Sequence, residues 1–319
     1  GPDHIFVEKR GRMEEVPIQF SSEEKLLQII QRIVGDCNRT VNEVSPIVDA
    51  RLQNGSRVNV VLSPIALNGP IVTIRKFPDC PLTIDQLISW GSITKEAAEE
   101  LRLYVQAGYN IFVSGGTGSG KTTFLNILSD FIPKDERIIT IEDSAELQIQ
   151  GIENLIRLET RNENVEGCHA ITIRDLIKSS LRMRPDRIIV GEVRGSEAVD
   201  MITAFNTGHD GSMSTGHANS ARDMLSRLEN MILMGMDIPL AAVKQQIASA
   251  IDIMIHLGRI RDKSRRVLEI TEIDGIQDGE IKMHTLYEFT EDASPRIGTL
   301  QKKGQLQHVE KLKAAGLML

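Results

Sequence analysis

The run Gly115-Gly116-Thr117-Gly118-Ser119-Gly120-Lys121-Thr122 constrains this chain more than any other segment. It fits the spacing G-x-x-x-x-G-K-[ST], and the flanks meet both structural conditions of that motif: Asn110 to Ser114 predicts a strand before it, and Lys121 to Phe131 predicts a helix after it. Glycines let consecutive backbone N–H groups turn inward around phosphate oxygens, and the helix N-terminus adds positive potential. Lys121 is then placed to reach β- and γ-phosphates and the Thr122 hydroxyl to ligate magnesium. The pattern predicts a site for ATP and Mg2+ built from Gly115, Gly116, Thr117, Gly118, Ser119, Gly120, Lys121, Thr122 and Thr123. So many glycines would be a costly choice for a merely structural turn.

At 319 residues the chain exceeds the size at which one core usually keeps growing, so two domains are expected. Ser21-Ser22-Glu23-Glu24 reads as a capping box ahead of Leu26, Leu27, Ile30, Ile33 and Val34, which recur at helical spacing until Gly35. Val48 to Gln53 and Ser56 to Leu62 flank Asn54-Gly55, which favours a type I′ hairpin, and Ile71 to Phe77 predicts a third strand. With a short strand Ile5 to Lys9, these pieces predict a small α+β domain over 1–77 and a linker over 78–83. From 84 to 319 helices closed by Gly91 and Gly108 lead into an alternation of apolar runs and helical stretches: Ile111 to Val113, Ile138 to Ile141, Leu155 to Leu158, Arg187 to Val190. That alternation predicts an α/β, RecA-like P-loop domain with a mostly parallel sheet, completed by antiparallel strands near Ile251 to Leu257, Val267 to Ile273 and Ile281 to Phe289.

Cys37, Cys80 and Cys168 are odd in number and widely spaced, so neither a disulfide framework nor a zinc knuckle is expected, and a reducing cytoplasm is the natural setting. No run approaches the roughly 18 apolar residues of a membrane span, and Gly1-Pro2-Asp3-His4 lacks a signal-peptide core, so a chain without its own anchor is expected. A net charge of -7 argues against general nucleic-acid binding. The cluster Arg259, Arg261, Lys263, Arg265 and Arg266 is read as a charged, solvated turn.

The ends of the other strands must say what happens to the nucleotide, because in a parallel α/β sheet the carboxyl ends face the ligand. Arg137 to Ile141 runs into Glu142-Asp143, which makes Glu142 a candidate general base for water, with a solvated turn as the alternative. Arg187 to Val190 runs into Gly191-Glu192: glycine stands where an aspartate ordinarily holds magnesium, so Glu192 is assigned to the metal, with pairing to Arg194 as the alternative. Thr207-Gly208-His209 and Thr215-Gly216-His217 bracket a short strand, and both histidines are expected near one sheet edge as donors to a terminal phosphate.

Arg182-Met183-Arg184-Pro185-Asp186 through Gly195, followed by Asn206-Thr207-Gly208-His209-Asp210-Gly211 and His217-Ala218-Asn219-Ser220, resembles the type II/IV secretion and pilus ATPase superfamily, within it the Tad/Flp pilus-assembly ATPases. The likeness extends from Gly1-Pro2-Asp3 through Thr73 to Phe77 and on to Glu269-Ile270-Thr271-Glu272. It implies a homohexameric motor at the inner face of the plasma membrane, driving pilus assembly or secretion through an inner-membrane platform protein. Glu142 with Asp143 and Glu146 match the family's acidic box, Gly191-Glu192 its atypical Walker B and His209 and His217 its histidine box, with Gly216 where a leucine is expected. The resemblance also implies that arginines of the small domain complete a nucleotide site; Arg57 and Arg75 fit by position, and strand alternation puts Arg57 opposite Val58 and Val60. A small-molecule kinase and a nucleic-acid translocase share the phosphate loop and are the rival readings.

Overall fold

The structure, a computed structural model, describes residues 1–9, 12–76, 81–161, 169–291 and 298–318. It divides into two compact units, Gly1–Cys80 and Pro81–Leu319. The predicted boundary at Phe77, the start of the linker at 78–80, and Cys80 and Cys168 lie outside the described residues.

In the first unit β1 (Ile5–Lys9) pairs only with β2 (Arg12–Val16), as a separate two-stranded ribbon. The helix α1 (Glu23–Asp36) starts at Ser22, whose side chain accepts the Lys25 N–H, and buries Leu26, Ile30 and Val34 at helical spacing. These pack on Val58, Val60 and Leu62 of a three-stranded antiparallel sheet made of β3 (Ile47–Arg51), β4 (Arg57–Val61) and β5 (Ile71–Arg75). The turn between β3 and β4 departs from the predicted type I′. Arg51 pairs with Arg57 and Leu52 N–H donates to Ser56 O, which leaves a three-residue loop with Gly55 alone at positive φ (86°). A three-residue loop needs one left-handed residue near its end, and glycine supplies it without Asn54.

The second unit opens with α2 (Ile84–Ser89), capped by a Thr83–Gln86 capping box, and α3 (Lys95–Gln106). There follow β6 (Ile111–Gly115), α4 (Lys121–Ser129), β7 (Ile138–Glu142), β8 (Leu155–Glu159), α5 (Ile173–Ser180), β9 (Arg187–Val190), α6 (Ala198–Phe205), β10 (Met213–Gly216), α7 (Ala221–Gly235), α8 (Leu240–Ala250), β11 (Ile253–Arg259), β12 (Arg265–Gln277), β13 (Glu280–Glu291), β14 (Gly298–Lys302) and α9 (Glu310–Ala314). One nine-stranded sheet has the order β14-β13-β12-β11-β6-β10-β9-β7-β8. The six strands from β11 to β8 are parallel, and β12, β13 and β14 extend the sheet antiparallel. Both faces of the parallel part are covered, which is why β6, β7 and β9 read as continuous apolar runs. Residues of α2, α3, α4 and α9 form the core on one face, and residues of α5, α6, α7 and α8 form it on the other. This is the RecA-like α/β architecture expected from the alternation.

Candidate active site

Parallel pairing sets the site. β6, β10, β9 and β7 are consecutive neighbours, so whatever follows their last residues gathers along one edge. Those followers are the phosphate loop after β6, His217 after β10, Glu192 just beyond β9, and Glu142 as the last residue of β7. The loop conforms to its motif: Gly118 (φ 68°) and Gly120 (φ 99°) lie in the left-handed region, and Gly120 is the N-cap of α4 with no side chain to block the helix N-terminus.

Lys121 is buried, and its Nζ donates to the carbonyls of Gly115 and Gly116, both at 3.2 Å. The same Nζ lies 3.1 Å from His217 Nδ1, and His217 Nε2 approaches Glu192 Oε1 to 2.8 Å. With an Nε2–H tautomer Nδ1 accepts from Lys121 while Nε2 faces the carboxylate without an aligned hydrogen bond to it. Glu192 Oε2 in turn accepts from Arg194 Nη2 at 2.9 Å. The pairing with Arg194 is therefore real and occupies one oxygen; the other is buried with no aligned hydrogen bond. Burial lowers the pKa of His217, with Lys121, Arg194 and Arg227 adding to that and Glu192 opposing it. The imidazole thus bridges lysine and carboxylate. Burial also lowers the pKa of Lys121, against the attraction of Glu192.

Glu142 is 3% exposed. Its Oε1 accepts the backbone N–H groups of Glu146 and Leu147, both at 2.8 Å, while Oε2 has no partner. Burial pushes its pKa up to about 7, against the lowering effect of those two N–H groups and of Arg157. The carboxyl that sequence placed in a strand-end turn is an enclosed group with one oxygen free, not a solvated one. The glycine beside it makes room for that carboxyl: a Cβ on Gly191 would sit 2.9 Å from Glu142 Cγ, so a side chain there would displace Glu142. Sequence shows the glycine and not this crowding. Gly216 is likewise closed in, since a Cβ there would meet Met224 Sδ at 2.8 Å.

His209 does not join the site. It precedes β10, whose first residue Met213 pairs with Ile111 at the start of β6, so it lies toward the amino end of the sheet, while His217 lies at the carboxyl end. There its Nδ1 lies 3.0 Å from Ala204 O at the end of α6, and its backbone carbonyl accepts from Ser212 Oγ. A strand between two histidines separates them by its length, which the bracketing pattern concealed. Arg57 and Arg75 belong to the first unit, where they are directly opposed across β4 and β5, with Arg51 opposite Arg57 on β3. Sequence also missed a cavity of about 240 Å³ beside the loop, where Asn219, Asp223 and Arg227 join Gly116, Thr117 and His217.

For magnesium, the donor chemistry fits. Thr122 opens the first turn of α4 with a hydroxyl, and Glu192 offers a buried carboxylate oxygen without an aligned donor. Among the described residues no three His, Cys, Asp or Glu gather as a cage.

A RecA-like sheet carrying a phosphate loop beside a buried carboxyl defines the class of P-loop nucleotide-site proteins. Residues 1–309 match the family described as type II/IV secretion system protein, and the chain belongs to that family. It is 35% identical over 266 residues to the type IV secretion system protein PtlH of Bordetella pertussis, covering 75% of this chain and 78% of that protein. It is 34% identical over 252 residues to the conjugal transfer protein TrbB of Rhizobium radiobacter, covering 78% of this chain and 74% of that one. Among solved structures, the VirB11 ATPase of the Brucella suis type IV secretion system, in complex with sulphate, superposes with a TM-score of 0.50 at 29% identity, covering 85% of this chain and 90% of that chain.

Proposed function

We propose that the chain is a Mg2+-dependent ATPase motor, working as a homohexamer at the cytoplasmic face of the inner membrane and driving secretion or conjugal transfer through a membrane platform protein. The observation that carries the reading is Glu142: a buried carboxyl with one oxygen fixed by two backbone N–H groups and the other unpartnered, at the end of a strand in the same parallel set as the phosphate loop. Family membership supports the machine. No helix among the described residues is long and apolar enough to cross a membrane, so the proposed membrane association runs through a partner.

On binding, Lys121 exchanges the Gly115 and Gly116 carbonyls for β- and γ-phosphate oxygens, and His217, its present neighbour, is left to donate toward the terminal phosphate. Glu142 Oε2 takes the proton of the attacking water while Oε1 stays anchored. Thr122 and Glu192 would hold Mg2+, which would supply neutralisation of the charge on the transferred group. Arg57 and Arg75, adjacent on the first unit's sheet, supply positive charge to a neighbouring protomer's loop. The relatives with conjugal-transfer and type IV secretion names favour that cargo; assembly of a Tad/Flp pilus is the narrower variant of the same motor.

The test separates binding from turnover. Lys121→Ala is expected to lose tight ATP binding, whereas Glu142→Gln keeps it and loses about 10²- to 10⁴-fold in hydrolysis. Unchanged turnover in Glu142→Gln overturns the assignment of the base. Crosslinking in cells that recovers a polytopic membrane protein supports the platform, and recovery of DNA instead supports a translocase.

A further inference from the structure

The basic cluster read as a solvated turn is engaged with the protein. Arg259 and Arg265 face each other across the β11–β12 pair, and the Nε of each donates to the carbonyl oxygen of Gly118 in the phosphate loop, at 3.1 and 2.9 Å. Two guanidiniums on one carbonyl repel each other, and a polyphosphate on the inner side of the loop would offset that repulsion. The next residue points elsewhere: Arg266 Nη1 donates to Trp90 O, the C-cap of α2, at 2.8 Å. Backbone contacts lock the same junction, with Ser92 Oγ donating to Arg265 O at 2.8 Å and Val267 N–H to Ser92 O at 2.9 Å. A glycine at positive φ lies at or beside each contact, where a side chain would be strained and would displace the guanidinium. A Cβ on Gly118 (φ 68°) would lie 2.7 Å from Arg259 Nη2, and one on Gly91 (φ 66°) 2.5 Å from Arg266 Nη1.

We propose that the β11–β12 hairpin is a strap that positions the phosphate loop and carries its occupancy to α2. Arg259 and Arg265 are positioning residues for nucleotide, and Arg266 is the link to Trp90. The proposal rests on the reading that the loop binds nucleotide. Holding the Gly118 carbonyl outward presents the loop's N–H groups inward before a ligand arrives. An anion in the loop attracts both guanidiniums and so favours the gripped arrangement over a released one, which is the differential interaction an occupancy signal requires. Because Arg265 holds Gly118 with its side chain and Ser92 with its backbone, movement of the loop is felt at the α2–α3 corner. α2 is the first helix after residue 81, the element nearest in sequence to the first unit.

The chain carries its own reporter, since Trp90 is the only tryptophan in the sequence and is 55% exposed. ATP and ADP, each with Mg2+, are titrated into the full chain while Trp90 emission is excited at the red edge, beyond adenine absorption, and binding is measured separately by calorimetry. Wild type is expected to change emission with the calorimetric midpoint. Arg266→Ala is expected to bind as wild type and lose most of the emission change, and Arg266→Lys, which keeps a donor, to recover part of it. Arg259→Ala and Arg265→Ala are each expected to weaken binding about tenfold, through the loss of one positive charge beside the loop and of its hold on Gly118 before the anion arrives. The double variant should fall short of the product, because both bonds share one acceptor. Binding heat with silent Trp90 in wild type, a full signal in Arg266→Ala, or wild-type affinity in both single variants overturns the strap. Absence of binding heat in wild type overturns the nucleotide reading and the strap with it.

Discussion

Glu142 is where one residue's environment decides chemistry. A carboxyl whose pKa rises to about 7 in the fold is half protonated near neutrality, and only its ionised form accepts a proton from water. kcat/KM, which reports the free enzyme, is therefore expected to fall below about pH 7 with unit slope, and the acid limb should vanish in Glu142→Gln along with most of the activity. Stability carries the opposite sign from an ordinary salt-bridged acid. The folded state binds this proton more tightly than the unfolded chain does, so its contribution declines as pH rises from about 4.5 through about 7. Glu142→Gln should thus be more stable than wild type at about pH 8, by up to about 3 kcal/mol, with the difference shrinking to almost nothing at about pH 4, below the unfolded-state pKa, as urea unfolding would show. The position of Glu142 was legible from the apolar run before it. Its enclosure was not, because that depends on backbone N–H groups of Glu146 and Leu147 folding back and on the empty volume at Gly191, neither of which has a sequence period.

At the scale of elements, legibility followed burial. β6, β7 and β9 are buried at every position and read directly from their apolar runs. β2, Arg-Met-Glu-Glu-Val, has four exposed residues in five and no alternation to read, and the β11–β12 turn hid its contacts because a charged turn looks alike whether it meets water or a carbonyl. Arg187 carries a structural charge at the start of the strand that leads to Glu192. Its Nη2 donates to Glu136 Oε1 at 2.7 Å and its Nη1 to Val105 O at 2.6 Å, tying β9 to the end of α3 from a buried position. Arg187→Ala leaves Glu136 without its cation and removes the side-chain donor to Val105 O, which keeps the Gly108 and Ala107 N–H groups. A loss of about 3 kcal/mol in urea unfolding is expected, with nucleotide affinity unchanged at temperatures where the variant stays folded. A loss below about 0.5 kcal/mol would mean the pair contributes no more than a surface bridge does.

At the scale of the whole molecule the chain divides into two compact units, and patterns of period and punctuation in a sequence are local to each. How units of different protomers meet is a property of surfaces, and the arginine row is the surface feature that bears on it. Arg51, Arg57 and Arg75 occupy one cross-strand row of the first unit's sheet. In the proposed hexamer Arg57 and Arg75 reach the polyphosphate on the next protomer's loop, and a guanidinium delivered in trans is worth about 10³ to 10⁵ in rate for phosphoryl transfer. Arg75→Ala alone and Lys121→Ala alone are then both expected to be nearly inactive, for different reasons: one donates no arginine, the other offers no competent loop. Rings containing both have some interfaces where an intact loop meets an intact arginine, and those interfaces should hydrolyse ATP. The mixed rings are made by co-expression, selected with two affinity tags, and assayed beside each single variant at equal site concentration, with Arg57→Ala treated the same way. A partner carrying both Lys121→Ala and Arg75→Ala donates neither element and should rescue nothing. If mixed rings are verified by mass and stay as inactive as their parents, the arginines do not act across an interface, and a monomer with full activity at every protein concentration removes the ring itself.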